Sequence, residues 1–325
     1  MESESAALTM DVPVTHLPST STSGGGKKNN WSSSLPLPKK PPASASPAAA
    51  AATSAARSAD AFLQRLTRCV STRAGADTTL MAVCYAARLS SASLEHLGRA
   101  FTQQNARDLI ALALKLPPQA SVRFAQNPVY SPLVSFALRL AARLKNLAAV
   151  IADVRGFNRL FGLLGLYMLG RRMVVEQEDK KKDKKDQKSA FDRALAVAQL
   201  VALVSFQATE NVAFLAAKRV LPVRPALQLR LARWSVRSWA SYVFMELGRL
   251  LLERHRALEE KGGRKARATL EWELGWQRDF FRNLAWAPLT LHWSVDDGPL
   301  NDFAIGALAM WPAAGSMRDL WRANA

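Results

Sequence analysis

The stretch SPLVSFALRLAARLKNLAAVIADVR (residues 131–155) decides how the rest of the chain is read. At about 100° per residue, Leu133, Phe136, Leu140, Leu144, Leu147, Ile151 and Val154 fall on one stripe of a helix. Arg139 and Arg143 lie on one flank of that stripe and Lys145 on the other, and Asp153 is the only acid nearby. Ser131 and Pro132 offer an N-cap and a proline at the first helical position. A leucine-rich stripe with cationic flanks has two physical uses. It can pack on the protein's own core, or it can lie in a headgroup plane with its apolar side wedged below and its charges on acidic lipid.

The same helical period runs outward in both directions. It predicts helices near 60–70, 77–99, 103–115, 131–173, 189–220, 226–261, 264–286 and 300–321. Pro117, Pro118, Pro128, Pro222, Pro225, Gly262, Gly263, Gly298 and Pro299 punctuate them. Strand-like alternation is absent, so the expected fold is all-α, a multi-helix bundle. Residues 1–58 are rich in Ser, Pro, Gly and Ala, with too few large apolar side chains to offset ordering entropy, and are expected to form a disordered tail. The helical domain is expected over 59–321. No apolar segment follows Met1, which argues against a secretory signal, and the ending RANA is not a peroxisomal SKL-type address.

The chain has 325 residues with 44 Lys+Arg against 26 Asp+Glu, giving a formal charge of +18. At 49% apolar it is too hydrophobic for a wholly disordered protein. Residues 1–60 are nearly neutral, with five basic and four acidic side chains, so the helical body carries the charge. That favours an anionic partner, either nucleic acid or acidic phospholipid. Arg230, Arg233 and Arg237 form a basic ridge on one helical face, with Trp234 beside it. There is no basic–aromatic ribonucleoprotein motif, zinc spacing or recognition helix, so nucleic acid is not expected as a partner. A soluble helical nucleic-acid binder is kept as the lesser alternative.

Chemistry of catalysis is not indicated. His16, His96, His255 and His292 are scattered, and no phosphate loop, nucleophile elbow or acidic metal cluster is present in the sequence. No metal site and no cofactor is expected. Cys69 and Cys84 read as small core residues, and Asp296, Asp297 and Gly298 as a turn.

Three runs approach the roughly 20 apolar residues a spanning helix needs. Ala194–Phe206, Leu160–Gly170 and Phe303–Met317 are each bounded by charge and none reaches that length. Eight of the nine tryptophans follow residue 233, beside Arg and polar neighbours. They suit either a membrane–water boundary or an ordinary core. Residues 176–188, with six lysines and five acids, read as a solvated charged loop.

The C-terminal part carries a resemblance. RNLAWAPLTLHWS (282–294) followed by GPLNDFAIGAL (298–308) resembles the ending of the peroxin-11 (peroxisomal biogenesis factor 11) family. TRAGADTTLMAVCYAARL (72–89) is similar to that family's opening helix pair, where a charged turn precedes a Tyr-containing helix. QATENVAFLAA (207–217) is similar to its acid–amide helix, with Glu210 and Asn211 at the pair. VRGFNRLFGLLGLY (154–167) fits the gamma or C-type branch best. Ala285 and Trp286 depart from the family's usual Cys and Asp. The resemblance implies a non-enzymatic peroxisomal membrane protein that self-associates, elongates the organelle through an amphipathic helix and prepares it for dynamin-type fission machinery. By order along the chain, that helix maps onto 131–155. A peroxisomal channel for small metabolites is the alternative that the same resemblance carries.

Overall fold

The computed structural model describes residues 47–115, 132–180, 190–260 and 266–325. Eight helices account for nearly all of them: α1 (Pro47–Val70), α2 (Arg73–Lys115), α3 (Pro132–Arg159), α4 (Gly162–Lys180), α5 (Ala190–Ala217), α6 (Pro225–Glu260), α7 (Ala266–Trp293) and α8 (Asp302–Ala323). No strand occurs among the described residues, and the fold is all-α. Of the charged loop expected at 176–188, residues 176–180 are instead the last turn of α4, and 181–188 lie outside the described residues, as do residues 1–46, 116–131 and 261–265.

Four boundaries differ from the sequence-based expectation. The helix expected to begin near residue 60 starts at Pro47, inside the stretch read as tail. Proline at the first position and the Ala48–Ala52 run both favour helix there. The helices expected at 77–99 and 103–115 are one 43-residue helix, because no breaker separates them. The helix expected at 131–173 is instead two, broken at Leu160 and Phe161. Finally, α7 passes through Pro288 to Trp293, because Ala287, Leu289 and Thr290 are buried just beyond the expected end.

The core is aromatic. Trp239 and Trp286 meet with ring centroids 5.5 Å apart, Tyr85 packs on Trp286 at 5.8 Å, and Trp293 stacks on Trp239 at 6.2 Å. Met81, Phe206, Val236, Val243, Leu289, Ile305, Ala309 and Ala313 close around them, drawing on α2, α5, α6, α7 and α8. A second cluster joins α2 to α3 through Cys84, Ala87, Ala148 and Ile151. The tryptophans thus divide: Trp239, Trp276 and Trp286 are buried, whereas Trp234 and Trp311 are 59% and 68% exposed.

The arginine ridge on α6 acts as a clamp within the protein. Arg233 pairs with Asp296 at 2.9 Å, and Arg237 donates two hydrogen bonds to the Ser294 carbonyl. Both therefore hold the connection between α7 and α8, and Asn301 caps α8 by accepting from the Ala304 amide at 2.8 Å. Arg230 of the same ridge is exposed.

Candidate functional site

The stripe on α3 does not face inward as a block. Leu133, Phe136, Leu140, Leu147 and Val154 are exposed, Leu133 to 78% and Phe136 to 63%. Leu144 is half-buried against the α2–α3 cluster and Ile151 is buried in it, so these two belong to the core and not to a free apolar face. Val150 and Phe157 extend the exposed face where the stripe did not place them. Arg139 and Arg143 are exposed on the same side and form no ion pair with a described residue. Lys145 lies toward α8 instead, 3.7 Å from Asp302.

The face that α3 does bury comprises Ala141, Ala148, Ile151, Ala152, Arg155, Gly156 and Arg159. Its centre is about 90° around the helix from the leucine stripe. The small residues let α3 approach α2 closely: Ser91 donates to the Ala141 carbonyl at 2.8 Å, and the Cys84 sulfur lies 3.4 Å from the Ala148 carbonyl. At the C-terminal end two arginines point into the protein. Arg155 is fully buried and pairs with Asp77 of α2 at 3.2 Å. Arg159 pairs with Glu210 of α5 at 2.8 Å. Burial pushes the Glu210 carboxyl above its ordinary range; Arg159 and Arg155 pull it back, and Asp77 adds to the rise.

The last carbonyls of α3, which no helix can satisfy internally, are captured from outside. Arg73 of α2 donates to the Asn158 carbonyl. Gln207 of α5 donates to the Arg159 carbonyl at 3.0 Å, and Asn211 to the Leu160 carbonyl at 3.1 Å. Gly162 opens α4 directly against the Gln207 side chain, where a Cβ would collide with its amide oxygen. The break in the expected 131–173 helix therefore has a tertiary cause. On the outer side of this elbow Phe157 and Phe161 meet edge to face at 6.3 Å, and the Arg73 guanidinium sits over the Phe161 ring. Exposed apolar residues continue along α4 at Leu164, Tyr167 and Met168.

The stretches 72–89, 154–167 and 207–217, far apart in sequence, converge at this elbow. Spacing gave no warning of Asp77–Arg155 or Arg159–Glu210. The available signal was a charged residue inside each of three otherwise apolar helical stretches. The α5 helix is long and apolar enough to cross a membrane by length and composition, unlike its uninterrupted run Ala194–Phe206 taken alone.

Among known proteins, no family model matches the chain, and no solved structure matches it. An uncharacterized protein of Schizosaccharomyces pombe is 26% identical over 201 residues, which cover 60% of this chain and 90% of that protein.

Proposed function

We propose that this chain is a peroxisomal membrane protein that remodels and elongates the organelle membrane through the outward face of α3, promoting fission and proliferation. The observation that carries the membrane part of this reading is the distribution of apolar side chains. Among the described residues, exposed large apolar side chains far outnumber buried ones, and on α3 they share a side with Arg139 and Arg143. Apolar side chains exposed singly are ordinary, whereas a row of them along one face of a helix marks an interaction surface. The peroxisomal part rests on the resemblance to peroxin-11.

The mechanism is a wedge. Leu133, Phe136, Leu140, Leu147, Val150 and Val154 enter one leaflet to a depth of about 5–10 Å, while Arg139 and Arg143 meet acidic phospholipid at its surface. Filling one leaflet more than the other favours curvature, and self-association adds the wedges together. Dynamin-type machinery then acts on the narrowed tubule.

Flotation of the full-length chain with vesicles containing acidic phospholipid tests the wedge. Leu140→Glu/Leu147→Glu places two carboxylates on the exposed face without touching the buried one and is expected to abolish most of the binding. Flotation equal to the unmodified chain would refute insertion by α3.

A further inference from the structure

The α3 helix has two faces that could turn inward, and the one that does is the less apolar. Burying the exposed Leu133, Phe136, Leu140, Leu147 and Val154 would remove more apolar area from water than burying Ala141, Ala148, Ile151, Ala152 and Gly156 does. Hydrophobic burial alone therefore points to the opposite rotation. What opposes it lies at the C-terminal end. Turning α3 by about 90° would withdraw Arg155 from Asp77 and Arg159 from Glu210, leaving two carboxylates inside the protein without their cations.

We infer that the pairs Asp77–Arg155 and Arg159–Glu210 are a register-setting device, which fixes the rotation of α3 so that its leucine face is presented outward. Buried ion pairs contribute little net stability compared with apolar residues of similar size, but they discriminate strongly between arrangements that do and do not pair them. Here the two arrangements are the two rotations of one helix. The pairs engage both α2 and α5, so the helix is referenced to two neighbours and cannot satisfy one while slipping against the other. Asp77, Arg155, Arg159 and Glu210 are positioning residues, acting on lipid only through α3. What the presented face does rests on the membrane reading above; the register itself does not.

The native thiol of Cys84, 3.4 Å from the Ala148 carbonyl, gives a direct readout. In the full-length chain carrying Cys69→Ala, copper-phenanthroline oxidation followed by peptide mass spectrometry reports which α3 position links to Cys84. With the pairs intact, Ala148→Cys is expected to link at least about tenfold better than Leu147→Cys, because a residue turned about 100° away falls outside disulfide reach. In Asp77→Leu/Arg155→Leu, which removes both charges of one pair, this preference is expected to narrow, and to fall toward unity or invert when Arg159→Leu/Glu210→Leu is added, whereas Arg155→Lys should retain it. If the double replacement loses its helical circular dichroism, the same measurement on Arg159→Leu/Glu210→Leu decides. An undiminished preference in a folded pair-less variant overturns the inference, as does an equal loss in Arg155→Lys. Vesicle flotation of the same variants separates the two ideas: a register change without any vesicle binding by the unmodified chain would refute the wedge and leave the register device standing.

Discussion

At the scale of single residues, charge matters according to where it is held. Removing one partner of a buried pair leaves the other charge uncompensated, so Arg159→Met is expected to destabilise the protein by about 3–5 kcal/mol. Lys218 also pairs tightly, with Asp153 at 2.6 Å, but both side chains are more than 40% exposed. Lys218→Met is therefore expected to change stability by less than about 1 kcal/mol. Thermal unfolding of the detergent-purified chain compares the two. His292 provides a pH test. Its ring accepts from the Leu300 amide at 3.1 Å, and partial burial lowers its pKa from 6.5 against the opposing effects of the Gly298 backbone and Asp302. The folded protein thus favours the neutral ring. That contribution is intact above pH 6.5 and is lost as pH falls through the lowered value. Protection of the Leu300 amide, its exchange rate relative to the intrinsic rate at the same pH, should fall as the pH drops below 6.5, while that of the buried Leu289 amide should not.

At the scale of helices, periodicity made the elements legible and left their ends unclear. The proline opening α3 and the asparagine capping α8 are local signals, and the expected starts near both agree with the structure within a few residues. The elbow after Arg159 was not legible, because its cause lies in Arg73, Gln207 and Asn211, which sit on other helices. For the same reason the stripe on α3 was found while its orientation was not: Ile151 shares its angle with Leu133 but faces Cys84. The end of α5 is locally encoded in part. Arg219 adopts a left-handed φ of 59°, while the Val220 amide reaches back to the Leu215 carbonyl at 2.9 Å. That is a Schellman-type ending with a non-glycine residue where glycine is usual. Arg219→Gly is expected to raise stability by about 1 kcal/mol, because the side chain there incurs backbone strain. A higher midpoint in chemical denaturation would show it.

At the scale of the whole molecule, the formal charge of +18 is already net of every carboxylate, so ion pairs inside the fold decide which cations are committed and not how many are in excess. Arg155, Arg159, Arg233, Arg254, Arg256 and Arg282 are all engaged with carboxylates of neighbouring helices or turns, and Arg249 with Glu246 and Glu253 of its own helix. Arg139 and Arg143 remain on the α3 face, so vesicle binding by the intact chain is expected to rest mainly on apolar insertion and to weaken only modestly as salt rises. A peptide cut to residues 131–159 would behave differently. Freed from Asp77, Glu210 and Asp302, its Arg155, Arg159 and Lys145 become new headgroup ligands, and nothing holds its Ala face away from lipid. Its binding should be steeply salt-dependent. Fragment affinities would therefore overestimate electrostatic attraction, and any effect they show of Arg155 or Arg159 on lipid would belong to the peptide and not to the folded protein.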